Sequence, residues 1–209
     1  MITRVHFSLT LTPGEIGILE GIKPWTGDNW DHPPNDEIAA IKNKIRQQLT
    51  DTQFKCSYCG LKLYGTSKGE IEHIAPKATT FRHPEFTFTL QNLTFACHWC
   101  NTSEKKGTTD TILVKNAIYS NCVFNLVHPY FDDPEDHYEW TDNHLEVLIQ
   151  VKDDSPKAIF SIEMFKLDTP EMNEHRAAQI RFDELKINMP LNVDDETLLN
   201  SAVIFQSDS

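Results

Sequence analysis

The chain has 209 residues, of which 39% are hydrophobic, enough for one packed domain or for a small module within a larger one. No stretch approaches the ~20 apolar residues of a membrane span, and residues 1–6 lack the apolar run of a signal peptide, so we expect a cytoplasmic protein. The formal net charge of −12 is unusual for an enzyme that acts on nucleic acid.

The charge is unevenly distributed, and its distribution suggests three regions. Residues 1–53 carry a balance of −2, residues 54–116 a balance of +3, and residues 117–209 a balance of −13. The mildly basic middle region suits contact with phosphates. The acidic C-terminal region is either a solvated face or a surface for a partner protein, and the sequence leaves both open.

The first half of the chain holds few periodic segments. Residues 13–35 are rich in Pro, Gly and Asp and are predicted to be irregular. Residues 36–49 are predicted to form a helix with Asn35 or Asp36 as its N-cap, because apolar residues recur at helical spacing. Residues 86–90 alternate between Phe and Thr and then reach Leu, which favours a strand or a sheet-like packed segment.

The C-terminal region is predicted to contain two strands and a helix, which gives an α+β fold. The strands cover residues 145–151 and 158–165, joined by a turn at residues 153–156. Thr169 and Pro170 open a helix, with Thr as the cap and Pro in the first turn, and this helix is expected to reach about residue 187. The acidic tail after residue 192 shows no clear element.

Four of the five cysteines form two C-x-x-C pairs separated by 37 residues: Cys56 with Cys59, and Cys97 with Cys100. Two such pairs can close one tetrahedral zinc site, and zinc binding can contribute ~10 kcal/mol or more to the folding of a small module. Cys122 is expected to be a buried thiol. The cysteines alone also fit a zinc ribbon that only binds other molecules.

The residues between and after the cysteine pairs favour catalysis over binding alone. Glu72 and His73 form an adjacent acid–base pair, Asn92 precedes the second knuckle, and Asn101 follows it directly. This order resembles the cysteine-bearing branch of the HNH (ββα-metal) endonucleases, which read C-x-x-C, acid-His-Ile-x-Pro, Asn-Leu and C-x-x-C-His/Asn. The resemblance covers about a quarter of the chain.

The resemblance implies a role for each matched residue. His73 would be the general base that activates water, and Glu72 and Asn101 would bind the catalytic Mg²⁺ or Mn²⁺. Asn92 would hold the loop that orients His73. His73 would end the first strand, residues 93–96 would form the second, and Asn101 would begin the helix. The acid is Glu where the family more often has Asp, and the last ligand is Asn rather than His, a weaker donor.

Several other polar or aromatic residues are candidates for contact with nucleic acid. Phosphate contacts are expected from four basic residues of the module: Lys77, Arg82, Lys105 and Lys106. His83 could touch substrate or be structural, and His98 is expected to be exposed. Trp25 and Trp30 could stack on bases, although packing in the core is the stronger expectation.

A narrower resemblance begins after the module, at the segment His128 to His137, which is followed by a predicted strand run at Ser161 to Leu167 and by a helix containing Arg176. This order is similar to the PtuB-like HNH effectors of Septu and retron-associated antiphage systems. It implies a DNA endonuclease in bacterial defence with an ATPase partner of the ABC/SMC type. Two alternatives stay open: an RNase, perhaps acting on tRNA, and a non-catalytic zinc module that binds nucleic acid or protein.

Overall fold

A computed structural model describes residues 2–63, 68–77, 83–141 and 147–188 of the chain. Within these ranges the secondary structure consists of short strands and of helices up to 19 residues long. The helices are α1 Pro13–Gly21, α2 Gly27–Asp31, α3 Asp36–Thr52, α4 His98–Asn101, α5 Pro156–Phe165 and α6 Pro170–Asn188. The strands are β1 Glu70–His73, β2 Leu93–Ala96, β3 Ile112–Val114, β4 Val123–Phe124, β5 Tyr138–Trp140 and β6 Ile149–Val151. None of the helices in the described ranges has both the length and the apolar character needed to cross a lipid bilayer.

The predicted helix after Asn35 is confirmed as α3. The Asn35 side chain caps it by accepting a hydrogen bond from the Ile38 amide at 2.9 Å. Its buried face consists of the four apolar residues that recur at helical spacing: Ile38, Ile41, Ile45 and Leu49. Burial of this stripe against the rest of the chain stabilises the helix in place.

The expectation that residues 13–35 are irregular is wrong. Two helices lie there, and each begins with a capping box in which the N-cap threonine and the third helical residue satisfy each other's backbone amides. Thr12 pairs in this way with Glu15, and Thr26 pairs with Asn29. The capping signals were present in the sequence but were masked by the density of Pro and Gly.

The ββα unit lies in the middle of the chain. Its first strand ends at His73 and its second covers Leu93–Ala96, both as predicted. β1 and β2 pair antiparallel, with Glu70 opposite Ala96 and His73 opposite Leu93. The helix is shorter than expected: α4 ends at Asn101 instead of beginning there, and residues 102–108 form turns. The α+β class and the ββα architecture are therefore confirmed, with a corrected helix boundary.

The predicted strand at residues 86–90 is wrong. Two 3-10 turns, Pro84–Phe86 and Leu90–Asn92, flank residues that form consecutive turns. The Thr87 amide donates to the Pro84 carbonyl at 3.0 Å, and the Thr89 amide donates to the Phe86 carbonyl at 3.1 Å. Because these backbone groups are satisfied locally, they need no partner strand.

The predicted strand at residues 158–165 is also wrong, since these residues form most of α5. Ser155 caps this helix by accepting from the Ala158 amide at 3.3 Å, and Pro156 occupies its first turn. The same Ser/Thr-Pro signal correctly predicted α6, which begins at Pro170. Of the strand predicted at residues 145–151, residues 149–151 form β6, residues 147–148 do not belong to it, and residues 145–146 lie outside the described part.

The main hydrophobic core draws on all three predicted regions of the chain. Ile38 from α3, Phe95 from β2 and Phe165 from α5 are each at most 1% exposed and belong to one buried cluster. Tyr58, inside the first cysteine pair, stacks on Phe165 with the ring centroids 4.1 Å apart. The C-terminal part therefore packs directly against the cysteine-bearing module.

Candidate active site

The four paired cysteines converge on one point. The sulfur atoms of Cys56, Cys59, Cys97 and Cys100 all lie within 4.8 Å of one another. Four ligands at about 2.3 Å from a tetrahedral zinc ion are separated by about 3.8 Å, and the Cys59 and Cys97 sulfurs are 3.8 Å apart. This spacing is too long for a disulfide, and the donor set fits zinc.

The cysteine cluster fixes the strands and the helix that carry the candidate catalytic residues. Cys97 follows β2 directly, and Cys100 lies within α4. Gln53, at the end of α3, secures the first knuckle to β2: its side-chain nitrogen donates to the Ser57 hydroxyl, and its oxygen accepts from the Phe95 amide at 3.0 Å. A change in the cluster would therefore move the site.

His73, at the end of β1, is buried and held in one tautomer. Its Nε2 lies 3.0 Å from the Thr87 carbonyl oxygen, which can only accept, so Nε2 carries the hydrogen and Nδ1 keeps a lone pair. The edge-on ring of Trp30 packs on the imidazole with the centroids 4.8 Å apart. Burial, and then the positive charge of Lys77, lower the pKa of His73 to about 3. The side chain is therefore a neutral imidazole at neutral pH, the state that a general base requires.

Asn92 fixes the connection between the two strands. Its oxygen accepts from the Ala75 amide at 2.6 Å and from the Tyr119 hydroxyl at 2.9 Å. Its nitrogen donates to the carbonyls of Ala75 and Phe86. All four hydrogen-bonding positions of this fully buried amide are used. The two bonds to Ala75 hold the segment that follows His73, and the bond to Phe86 holds the turn next to Thr87.

Glu72 lies inside the protein and forms an ion pair with Lys106. The two side chains are 7% and 1% exposed, and the Lys106 ammonium also donates to the His73 carbonyl at 2.8 Å. Burial raises the pKa of Glu72, which outweighs the opposite effect of Lys106. Lys106 thus contacts the side chain of Glu72 and the backbone of His73 from the interior of the protein.

Glu70 and Asn101, by contrast, meet near the surface. The Asn101 amide donates to Glu70 Oε2 at 2.7 Å, and His98 Nδ1 lies 2.9 Å from Glu70 Oε1. The His98 side chain is 72% exposed, as predicted, and that of Glu70 is 38% exposed. Asn101 therefore approaches Glu70, which the sequence analysis did not single out.

Comparison with known proteins agrees with this geometry. Residues 56–107 match the HNH endonuclease family. These residues form an HNH domain. The chain is also similar to the Septu protein PtuB of Bacillus mycoides (strain KBAB4), with 29% identity over 162 residues that cover 70% of this chain and 53% of that protein. The chain thus spans about half the length of the curated relative it matches.

The basic residues of the HNH domain occupy different environments. The Lys105 ammonium lies 3.8 Å from the ring centroid of Trp99, which is 46% exposed, so both groups are at the surface. Lys77 forms an ion pair with Asp31 at 2.6 Å. The expected phosphate contact of Lys106 does not fit the structure, because this side chain is 1% exposed and forms an ion pair with Glu72. Arg82 lies outside the described residues.

The remaining aromatic and histidine candidates are structural. The Lys23 ammonium lies 4.6 Å from the ring centroid of Trp25, and the Phe88 ring packs against the same indole with the centroids 5.6 Å apart. Trp30 is 7% exposed and packs on His73, so both indoles are already engaged within the protein. His83 is buried beside Asp110, at 2.8 Å. Cys122 is a buried thiol, as predicted.

Asn92 is held by a buried pair, Tyr119 and His128, that was not predicted from the sequence. Tyr119 donates to Asn92, and the Tyr119 oxygen lies 3.0 Å from His128 Nε2. The Tyr130 amide donates to His128 Nδ1, so Nε2 carries the hydrogen and donates to Tyr119. His128 is the first residue of the segment that resembles the Septu effectors. This histidine was the sequence feature that could have indicated the buried pair.

Proposed function

We propose that this protein is a metal-dependent HNH endonuclease that hydrolyses phosphodiester bonds in DNA and acts in antiphage defence together with an ATPase. The observation that carries the proposal is the state of His73: a neutral imidazole with Nε2 committed to the Thr87 carbonyl and Nδ1 left to accept a proton. The match of residues 56–107 to the HNH endonucleases supports the same chemistry.

The proposed chemistry is general-base hydrolysis. His73 Nδ1 takes a proton from water while the water oxygen attacks phosphorus, and one phosphorus–oxygen ester bond breaks. Asn101 and the acidic residues of β1 would hold a divalent ion, which would supply stabilisation of the negative charge on the phosphate and on the leaving oxygen. Asn92 keeps the imidazole in place through the Ala75 and Phe86 backbone, and the cysteine cluster, which we assign to zinc, holds β2 and α4.

The partly exposed Lys105 and the exposed Trp99, which lie near Asn101 in sequence, offer contacts for the substrate. The ammonium suits a backbone phosphate and the indole suits a base or a sugar. Lys77, which is still partly exposed, could contribute a second phosphate contact if it exchanges Asp31 for a phosphate. We propose a cytoplasmic setting because four reduced thiols serve as metal ligands.

The ATPase partner is proposed from the likeness to the Septu protein and from the charge of the C-terminal region. Residues 117–209 carry a balance of −13, which repels nucleic acid, so a basic partner that brings the substrate would compensate. Truncation after Pro129 is a poor test, since it removes Phe165 from the core. A better variant changes the exposed acids of α5, α6 and their connection to amides: Glu163, Asp168, Glu171 and Glu174. In a pull-down from a host that encodes the protein, the wild type should retain an ATPase in low salt and the variant should lose it.

A cleavage assay tests the nuclease itself. The purified protein, alone and with its captured partner, is incubated with supercoiled plasmid and separately with total RNA, each with Mg²⁺, Mn²⁺ or EDTA. We expect metal-dependent nicking of the plasmid, because one ββα-metal site cuts one strand at a time. His73→Ala should lose ~10²–10⁴-fold in rate, the usual contribution of a general base.

His175→Ala is the matched control, because this histidine lies on the exposed face of α6 and should be dispensable. Cleavage of RNA but not of plasmid would assign the site to an RNase. Absence of cleavage under every condition would favour a zinc module that only binds other molecules. If His73→Ala cleaves at the wild-type rate, His73 is not the general base.

A further inference from the structure

We propose that a cleft between the N-terminal segment and the residues that precede β2 binds a nucleotide, with the phosphate at Arg4 and His6 and the base against Phe7. The inference deepens the proposed nuclease function, because a nucleotide of the substrate strand is one source of this ligand and a free nucleotide is the other. Residues 4–9 lie outside the segment that matches the HNH endonucleases, so that match assigns them no role.

The cleft has the size of a ligand site. Its volume is about 570 Å³, and small-molecule sites occupy about 300–1,000 Å³. Residues 4–9 form one part of its lining, and residues 90–91 and 130–131 form the rest. Three segments that are distant in sequence therefore meet at this cleft.

Hydrogen bonds hold these segments together. The Val5 amide donates to the Pro129 carbonyl at 2.8 Å. Arg4 Nε donates to the Tyr130 carbonyl at 2.9 Å, and the Tyr130 hydroxyl donates to the Leu93 carbonyl at 2.6 Å. The cleft is therefore preformed, which lowers the entropy cost of binding a ligand there.

The polar groups of the cleft suit an anion. The chain has 31 acidic residues and a net charge of −12, yet none of the described residues that line the cleft is acidic. Arg4, His6 and Gln91 are exposed. Within the described part of the chain, the terminal nitrogens of Arg4, the imidazole of His6 and the amide of Gln91 have no hydrogen-bond or ion-pair partner. A guanidinium with two unused nitrogens binds phosphate well, and the absence of nearby carboxylates avoids repulsion.

Aromatic rings give the cleft a surface for a base. The rings of Phe7 and Tyr130 meet edge to face with their centroids 6.5 Å apart. Phe131 stacks on His128, with the centroids 4.2 Å apart. Phe7, Tyr130 and Phe131 are half-buried, so a part of each side chain remains accessible. Phosphate-binding groups beside aromatic rings are the combination that proteins use to bind the nucleotides of single strands.

The cleft also borders the backbone that positions the general base. Gln91 directly precedes Asn92. Leu93, which accepts a hydrogen bond from Tyr130, lies opposite His73 in the sheet. A nucleotide in the cleft therefore lies next to the segment that holds His73, which suits a neighbouring nucleotide of the strand that is cut.

A crosslinking experiment locates the ligand directly. The zinc-loaded His73→Ala protein is used without added divalent ions, so that nucleic acid is bound but not cut. The two probes are a single-stranded oligodeoxynucleotide that contains 5-iododeoxyuridine and the free 5-iododeoxyuridine monophosphate, which both crosslink to aromatic side chains under ultraviolet light. Peptide mass spectrometry should find the crosslink at Phe7, Tyr130 or Phe131. Crosslinking by the oligonucleotide alone assigns the cleft to the strand, whereas crosslinking by the monophosphate shows that a free nucleotide suffices.

Two variants in the same His73→Ala background separate the contacts to phosphate and base, measured by fluorescence anisotropy of a labelled oligonucleotide. Arg4→Gln should weaken binding about fivefold and make the slope of log affinity against log salt shallower by about 0.7, because one phosphate contact of a single strand is lost. Phe7→Leu should weaken binding about fivefold or more without changing this slope. Arg181→Gln is the matched control, because it removes the same charge from an exposed side chain of α6 outside the cleft, and it should change neither quantity.

Crosslinks confined to Trp99 would overturn the inference, as would an Arg4→Gln protein that binds the oligonucleotide like Arg181→Gln. Arg4 is exposed, so its substitution leaves the core intact and decides the matter even if Phe7→Leu fails to fold. Since cleavage is not measured, these results would leave the proposed nuclease function standing. A protein that crosslinks in the cleft, but whose wild-type form cuts neither DNA nor RNA, would refute the proposed function alone.

Discussion

The two ends of strand β1 differ sharply in environment although they are only three residues apart. At the first end, Glu70 is exposed and contacts side chains of α4. At the second end, Glu72 and His73 are buried, and their partners are a lysine from a later turn and the carbonyl of Thr87. The exposed end can exchange its contacts with solvent, whereas the buried end suits a side chain that must keep one orientation and one protonation state.

The cysteine cluster anchors the end of β2, which pairs with β1 from Glu70 to His73, and its removal should have the largest effect. Cys56→Ser or Cys100→Ser should lose the tightly bound zinc and unfold the HNH domain, because zinc contributes ~10 kcal/mol or more to such modules. Zinc content and limited proteolysis measure this. Cys122→Ser is the matched control, since this thiol is outside the cluster, and a stable zinc-free wild-type protein would contradict the prediction.

The buried ion pair between Glu72 and Lys106 belongs to the second end of β1, so its removal tests that end selectively. Lys106→Met should lower the free energy of unfolding by about 3–5 kcal/mol, because it leaves the buried Glu72 carboxylate uncompensated. Lys105→Met, which removes the neighbouring, partly exposed cation, should change stability by less than about 1 kcal/mol. Urea unfolding of zinc-loaded protein provides the measurement.

The double variant Glu72→Gln/Lys106→Met sharpens this test. Removal of both charges should recover most of the stability that Lys106→Met loses, since no buried charge then lacks a partner. Equal losses in the single and double variants would show that Lys106 contributes by packing and not by charge.

The hydrogen-bond network of Asn92, Tyr119 and His128 should make the free energy of unfolding depend on pH. Burial lowers the pKa of His128 to about 3, whereas the unfolded chain titrates near 6.5. The unfolded state therefore takes up the proton first, and stability is complete above about pH 6.5 and declines as the pH falls toward 3, by up to about 1.4 kcal/mol per pH unit.

Comparison with His128→Gln isolates this contribution. The variant should be less stable at pH 7, because it lacks the imidazole ring that stacks on Phe131 with the centroids 4.2 Å apart. Its stability should nevertheless decline less between pH 6.5 and 5.5 than that of the wild type. Parallel stability curves for the two proteins would exclude His128 as the titrating group. The pKa of His73 is also lowered, and its titration contributes equally to the stability curves of both proteins.

Much of the module could be predicted because its signals are local. The C-x-x-C pairs, the bounds of β1 and β2, and the cap of α3 each depend on residues within a few positions of one another. The errors at residues 86–90 and 158–165 have a common cause, since Pro84 and the Ser155–Pro156 pair opened turns and a helix where apolar alternation suggested strands.

The partners of the candidate site could not be predicted, because they depend on tertiary contacts. Lys106 lies 34 residues from Glu72 in sequence, and nothing in its local pattern indicates that its ammonium is buried. Glu70 and Glu72 have the same chemistry and similar neighbours in sequence. Only the register with β2 and the position of α4 show which of them meets Asn101.

The central claim is that the buried end of β1 holds a neutral base whose Nδ1 is free to accept a proton. Long-range ¹⁵N correlation NMR of histidine-labelled protein, with His73 assigned through a His73→Asn variant, measures this state directly. We expect the neutral Nε2–H tautomer for His73 from pH 7.5 down to about 5.5, since its pKa is about 3. A doubly protonated His73 at pH 7, or the Nδ1–H tautomer, would contradict it.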